Sequence, residues 1–491
     1  MLVARRWKLL VGVALVASAA PALAQDAQTE ARIAAMQAQI DAMQRQLDEL
    51  RALQARPPPP PPAPAIASAP PAPAAARPPT WKGAPEFTAD GGWRFKPRGR
   101  MQYDVADVGN PNDAVASANL GFNGRSRRIL FGAEGEVPGG FKWRAEFDFA
   151  QGGVGYEDVT FQYAPKGAAF SAQVGNFYPF SSLETVSSSG AHSFLERAQM
   201  TDAFGHNRRI GVAVGYTGLD GDLRVNAGLF NDSINASFDN DDWLLGARAT
   251  WSPEALGGRL HLGANYQHRE FQTNALRFQY RARPFVQTTD IRFVDTGLVA
   301  ARGDDVYGVE AAGIFGSLHV VTEAQWVKTD GIANPAALTG LESVAGGTAF
   351  AGDPGFFSAY AEAGWWITGE TRGYKDGSWQ RTSVSNGFDK GGWGALGVNA
   401  RYDYLDLRDR VATGTPATSF AAPNFVNGGT QTGYLLSLVW QPIDYVRFMA
   451  QYTRAAIEGG PRAATTVPGP TPVPSRSYDL DVWGLRAQFE F

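Results

Sequence analysis

The sequence predicts an all-β chain folded as an antiparallel transmembrane β-barrel of roughly 16–18 strands by pattern count, preceded by a short N-terminal coiled coil. Three observations carry this prediction. Segments of period two set a charged phase against an aromatic phase, the connections between them alternate between tight turns and long loops, and the chain ends on an amphipathic strand that closes in Phe491.

At the N-terminus, Arg5, Arg6 and Lys8 precede the apolar run Leu9 to Ala20 and then Ala22-Leu23-Ala24. This is the pattern of a signal peptide cleaved after Ala24, residues 1–24. The run is shorter than the ~20 residues a membrane-spanning helix needs, and no later segment offers 18 uninterrupted apolar residues. A mature chain that enters a membrane must therefore do so as a closed barrel, where every backbone group is paired.

Residues 25–55 place Ile33, Met36, Ile40, Met43, Leu47 and Leu50 in a/d alternation over roughly three heptads, the pattern of a short parallel coiled coil and hence of an oligomer. From Pro57 to Pro79 the chain is Pro/Ala-rich with six consecutive prolines, a semi-rigid spacer, so 56–85 reads as a linker and 86–491 as the barrel.

In Trp93–Tyr103, Arg94, Lys96, Arg98, Arg100 and Gln102 oppose Trp93, Phe95, Met101 and Tyr103. The same dyad recurs in Phe141–Phe149, where Lys142, Arg144, Glu146 and Asp148 form a phase too polar for a protein core. Further strands are read at Ile210–Tyr216, Leu260–Gln267, Leu276–Arg281 and Trp483–Phe491. Tight turns fall at Pro138-Gly139-Gly140, Gly218 to Asp222 and Pro442-Ile443-Asp444, with longer loops at the other strand ends. The count reaches about 17, one more than an even closure allows, with the excess placed between residues 270 and 305. A soluble sandwich would also alternate, but its inner face would not be charged, nor its other face this rich in Trp, Phe and Tyr.

Composition narrows the function classes. The chain has no cysteine, which removes thiolate metal sites and nucleophiles. Loss of three basic residues with the signal peptide takes 44 Lys+Arg to 41 against 48 Asp+Glu, a net charge of −7 and no nucleic-acid-binding balance. His192 near Ser187, Ser188 and Ser189 has no nucleophile elbow beside it. His206, His261, His268 and His319 lack metal-ligand spacing, and Glu134 and Glu136 read as lumen lining before catalytic carboxylates. No catalytic residue, cofactor or metal site is expected.

A series of fragments then resembles a known family: Arg127-Arg128 opening a strand that continues to Glu134-Gly135, Phe147-Asp148-Phe149, Val174-Gly175-Asn176-Phe177 with Leu195-Glu196-Arg197-Ala198, Arg208-Arg209-Ile210-Gly211, Arg277 to Pro284, Val306-Tyr307-Gly308-Val309-Glu310, Ile367 to Arg372 and Arg401-Tyr402-Asp403-Tyr404. In this order they are similar to the phosphate-selective porins of the O/P class, over most of residues 93–491. The resemblance implies a homotrimer of barrels of roughly 16 strands in the outer membrane. It also implies that the loop after Asn176 folds inward as a constriction, and that the N-terminal coil stands in the periplasm.

It further implies an arginine ladder that leads anions along the lumen. Arg277, Arg281 and Arg283 match the ladder strand and share one phase. Arg127 and Arg128 match a second pair near the constriction, although by strict alternation only Arg128 faces the lumen. Arg209 is a further candidate. Guanidinium suits the task because it stays charged and grips oxyanions bidentately. One departure stands out: residues 176–207 contain no lysine and offer Glu184, Glu196 and Asp202 against Arg197 alone. The expectation is passive diffusion of small, hydrophilic, anionic solutes such as phosphate, without strong phosphate selectivity, and with outer-membrane lipid and two further copies of the chain as partners. The competing expectation is a structural barrel tethered to the periplasm or cell wall through the coil.

Overall fold

The structure is a computed structural model that describes residues 37–49, 78–109, 120–150, 152–234, 240–410, 425–461 and 477–491. The chain divides into two units, residues 1–75 and 76–491. In the first, residues 37–49 form one helix on which Ile40, Met43 and Leu47 are exposed. A coiled coil is not seen in this single chain; Ile33, Met36 and Leu50, like the signal peptide and residues 57–77, lie outside the described residues.

The second unit is a closed antiparallel barrel of 16 wall strands. They are β1 Trp93–Val108, β2 Gly121–Val137, β3 Phe141–Asp148, β4 Gly155–Tyr163, β5 Phe170–Phe177, β6 Arg209–Gly218, β7 Leu223–Phe230 and β8 Trp243–Trp251. The wall continues with β9 Gly258–Glu270, β10 Val294–Phe315, β11 Leu318–Gly331, β12 Gly355–Trp366, β13 Ala395–Arg410, β14 Phe425–Ile443, β15 Val446–Glu458 and β16 Ser477–Glu490. The circle closes where β16 pairs with β1, from Glu490 opposite Arg100 to Val482 opposite Val108. Closure leaves no wall strand with an unpaired edge, the condition for crossing lipid. Ahead of the wall, Thr80–Trp81 pairs with Pro85–Ala89, which pairs with the start of β1.

The dyad pattern sorts as read. Along β16, Trp483, Leu485 and Phe489 face outward while Arg486 and Gln488 are buried in the lumen. Along β6, Ile210, Val212 and Val214 are likewise outward. Phe491 caps this face, its ring 6.2 Å from Phe131 and 5.7 Å from Phe489, and its backbone exchanges hydrogen bonds with Gly99. A Cβ on Gly99 would stand 2.2 Å from that ring, so the terminal aromatic has its seat only because residue 99 lacks a side chain. Gly99→Ala is expected to displace Phe491 and cost about 1–3 kcal/mol by overpacking, read as a lower heat-modification temperature of the folded barrel on a detergent gel.

Two readings are corrected. The supernumerary strand is Arg277–Ala282, which pairs with the loop-side extension of β10 and leaves β9 to pair with β10 directly in the wall. Its period-two pattern is real, but Tyr280 and Ala282 pack into the loop core rather than toward lipid. The third tight turn is Asp444–Tyr445, because β14 runs on through Pro442 to Ile443.

The connections differ sharply between the rims. On one rim they are short, such as residues 138–140, 316–317 and 444–445. The exception there is the β12–β13 connection, residues 367–394, which folds into the lumen as a small hairpin, Gly373–Lys375 with Ser378–Gln380. On the other rim, the connection from β5 to β6, residues 178–208, also turns inward.

Candidate functional site

The inward loop begins where β5 ends. Gly175 has φ 133°, and a Cβ there would meet the Val159 carbonyl at 2.1 Å, so the strand lies tight against β4. Phe177 packs 5.1 Å from Phe230 and 6.2 Å from Phe180, holding the point of departure. Ser182 then caps a single turn, Leu183–Val186, its hydroxyl accepting from the Thr185 amide at 3.3 Å.

The loop carries its own apolar core. Leu183, Phe194, Leu195, Ala198, Met200 and Phe204 are all at most 2% exposed, and each large side chain among them contributes roughly 1.5–3 kcal/mol by burial. Buried polar contacts fix its position against β11–β16. Arg401 reaches Glu184 on the loop and Glu362 on the wall at 2.6 Å each. Ser193 donates to Glu362 at 2.5 Å, Gln199 contacts Asp403 at 3.2 Å, and the Leu195 amide donates to Gln451 at 2.9 Å.

From the opposite rim the 367–394 hairpin meets this loop. The Trp379 amide donates to the Ser187 hydroxyl at 2.8 Å, Arg372 stacks on Trp379 at 4.2 Å, and Tyr374 lies 2.6 Å from His261. The two insertions bury the inner wall of β10–β16, where Arg401 and Glu362 are both 1% exposed. Some lumen charges of β1–β4 are wetter, with Arg98 23% exposed, Arg144 37% and Asp158 23%, while Arg100, Asp104 and Glu146 on the same strands are buried. The wetter charges form a chain of ion pairs along part of β1–β4. Glu134 binds Arg94, Arg98 and Arg144, while Asp158 binds Arg144 and Arg208.

Toward the long loops lies a cavity of about 740 Å³, lined by seven arginines and five carboxylates, a formal excess of two positive charges. Of the arginines the sequence singled out, Arg127, Arg128, Arg209, Arg277 and Arg283 line it; Arg281 is exposed outside it. Arg127 enters despite the wrong phase. A bulge in β2 opposite Gln102 and Tyr103 inserts one extra residue, so both guanidinium groups reach the lumen.

Pairing separates these arginines. Arg127 grips Glu196 bidentately at 2.7 and 2.9 Å, Arg209 binds Asp242 at 3.0 Å, and Arg283 lies near Asp202 at 3.6 Å and Asp290 at 3.5 Å. Among the described residues Arg128 bonds only the Gln102 side chain at 3.0 Å, and Arg197 only the carbonyls of Glu184 and Ser187. Arg277 has no hydrogen-bond or ion-pair partner among the described residues.

The loop carboxylates sit differently from their expected place. Glu184 is buried beneath the loop against Arg401 and does not line the cavity, because the one-turn helix carries it toward β13. Glu196 does line it. Burial alone would raise its pKa, but the adjacent Arg127 and Arg486 guanidinium groups hold it well below the usual carboxylate range. Burial, with Arg269 nearby, pushes His206 down to about 4, so it is neutral at pH 7.

Sequence reasoning missed Arg208 and Tyr178. Both line the cavity, and Tyr178 lies under two guanidinium groups, Arg208 at 4.3 Å and Arg197 at 5.3 Å. Arg208 stood beside Arg209 in a quoted fragment. Tyr178 carried no signal, since only the loop's return brings the arginines to it. Ser188 and Ser189 accept hydrogen bonds from Arg100 at 2.8 Å each, a positioning role for the serine run.

The sequence pattern of the family described as phosphate-selective porin O and P matches residues 95–491. A relative 35% identical over 428 residues, 84% of this chain and 77% of its own length, is an uncharacterized protein of Caulobacter vibrioides. Among solved structures, the outer-membrane OmpT of Vibrio cholerae is similar with a TM-score of 0.48 at 11% identity, over 83% of this chain and 100% of that one. An anion-selective porin from Comamonas acidovorans is similar with a TM-score of 0.45 at 10% identity, over 81% and 100%. At that level of overlap the structural likenesses carry no information about solute or assembly.

Proposed function

The chain belongs to the phosphate-selective porin O and P family of outer-membrane channels, and from that premise we propose that it conducts small hydrophilic anions by passive diffusion. The observation that supports this reading is the set of cavity-lining guanidinium groups without a carboxylate partner among the described residues, Arg128, Arg197 and Arg277. Fixed positive charge in a narrow lumen lowers the entry barrier for anions and raises it for cations. The neighbouring carboxylates offset most of that charge, so the preference is expected to be moderate.

The test is the zero-current potential of the purified protein in a planar bilayer under a KCl gradient. An anion-preferring potential that moves toward zero in Arg128→Gln/Arg277→Gln is the expected result. A potential at zero in the wild type, with normal conductance, would mean that the arginines merely line the wall.

We also infer a homotrimer. Its support is the uneven wall: β3 to β8 are only 8 to 10 residues long, whereas β10 to β16 run from 12 to 22. Eight residues at ~3.4 Å each, tilted by ~40°, rise about 20 Å, short of an apolar band ~25 Å tall. Their outward side chains, Phe170, Val212, Val214 and Leu229 among them, are exposed in the single chain and are covered by neighbouring barrels in this reading. The N-terminal coil, after removal of residues 1–24, would hold the three chains together on the periplasmic side. Detergent extracts should give one species at the mass of three chains; a stable monomer would refute the assembly.

A further inference from the structure

We propose that the loop-side cavity binds organic monoanions that carry an aromatic ring. This rests on the anion-channel reading and narrows it to a solute class. The first argument is size. A tetrahedral oxyanion displaces roughly two or three waters of ~30 Å³ each, a small part of a cavity of about 740 Å³. An inorganic anion would touch one wall and leave the rest wet.

The second argument is what the remaining wall offers. Phe271 and Phe278 both line the cavity, half-buried, with ring centroids 5.3 Å apart and planes 17° from parallel. Gly205 allows this placement, since a Cβ there would stand 2.5 Å from the Phe278 ring. The Arg269 guanidinium lies over the Phe278 ring at 4.7 Å, so Phe278 seats Phe271, and a planar solute ring gains offset-stacking contact on Phe271 beyond its area burial. Beside it in the chain is Arg277, with its guanidinium unpartnered among the described residues, and Arg128 and Arg197 line the same cavity. A solute with a carboxylate and a ring uses both features at once: the carboxylate takes a bidentate guanidinium contact and the ring covers Phe271.

The third argument is charge. The carboxylates that line the cavity, Glu157, Asp202, Asp232 and Asp242 besides Glu196, leave an excess of only two positive charges. That suits a single negative charge better than a polyanion, whose second charge would meet carboxylates in a site of reduced dielectric.

The experiment compares benzoate with acetate, equal in charge, as blockers of single-channel KCl current in the full chain. Benzoate is expected to reach half-block at about a tenfold lower concentration, the scale of one half-covered ring. Phe271→Leu and Phe278→Leu, two independent variants, should each raise the benzoate concentration toward that of acetate, and Arg277→Gln should weaken both anions. Equal block by the two anions in a channel that prefers anions would overturn the inference and leave the anion reading standing. A benzoate preference that survives both phenylalanine variants would also overturn it, since the ring would then bind elsewhere. Absence of anion preference in the wild type would instead refute the anion reading on which it rests.

Discussion

Replacing Arg401 by Ala is expected to unseat the inward loop of residues 178–208, raising single-channel conductance and lowering the unfolding temperature together. The guanidinium contacts carboxylates on both sides of the seam, Glu184 from the loop and Glu362 from β12, and stacks between Phe194 at 4.6 Å and Tyr360 at 4.5 Å. Removing one member of such a buried network costs roughly 3–5 kcal/mol, because a charge remains behind without its partner. Glu362 keeps Arg372 and His319, but among the described residues the Glu184 side chain keeps only the Ala198 amide at 3.1 Å. The damage therefore falls on the loop. Arg401→Met combined with Glu184→Met removes both charges and should recover most of the unfolding temperature. If the single variant conducts and melts like the wild type, the loop is held by its apolar core alone.

Trp379→Ala is expected to have a comparable effect from the other rim. The indole is 1% exposed and lies between Arg372 and Tyr374, and the backbone N–H of the same residue donates to the Ser187 hydroxyl. Truncation leaves a cavity worth roughly 3–5 kcal/mol at the junction of the two insertions. The hairpin then loses its apolar seat, and conductance should rise without a change in the sign of selectivity, because the arginines that line the loop-side cavity lie elsewhere. An unchanged conductance would place the narrowest point outside this junction.

Much of the wall was legible because lipid on one side and water on the other impose a period of two that few other folds sustain. The pattern in β1, β3, β6 and β16 survives in the structure side chain by side chain. It misled at Leu276–Arg281, where a protein core made of loops imposes the same period as lipid does. It also misled at Arg127, since a bulge shifts phase without leaving a mark in composition. The arginines of the cavity were visible as residue types, but which of them lack carboxylates depends on where Glu196, Asp202 and Asp242 return in space. The 367–394 hairpin was missed as an insertion: its residues are ordinary turn formers, and only its length sets it apart from the other connections of its rim.

The pairing of β1 with β16 sets the order in which the molecule can be made. Arg100 and Glu490 are 390 residues apart, so the first strand cannot find its second neighbour until the last has been exported. Entropy is a minor obstacle, since closing a chain grows harder only with the logarithm of its length. The obstacle is timing: contacts of such high order form late. The inward loop of residues 178–208 binds side chains on β13, β15 and β16, so it too waits for the last strands. The barrel is thus expected to pass through a stage that is open along one seam and empty inside, and its lumen is filled last, in the same step that closes the wall.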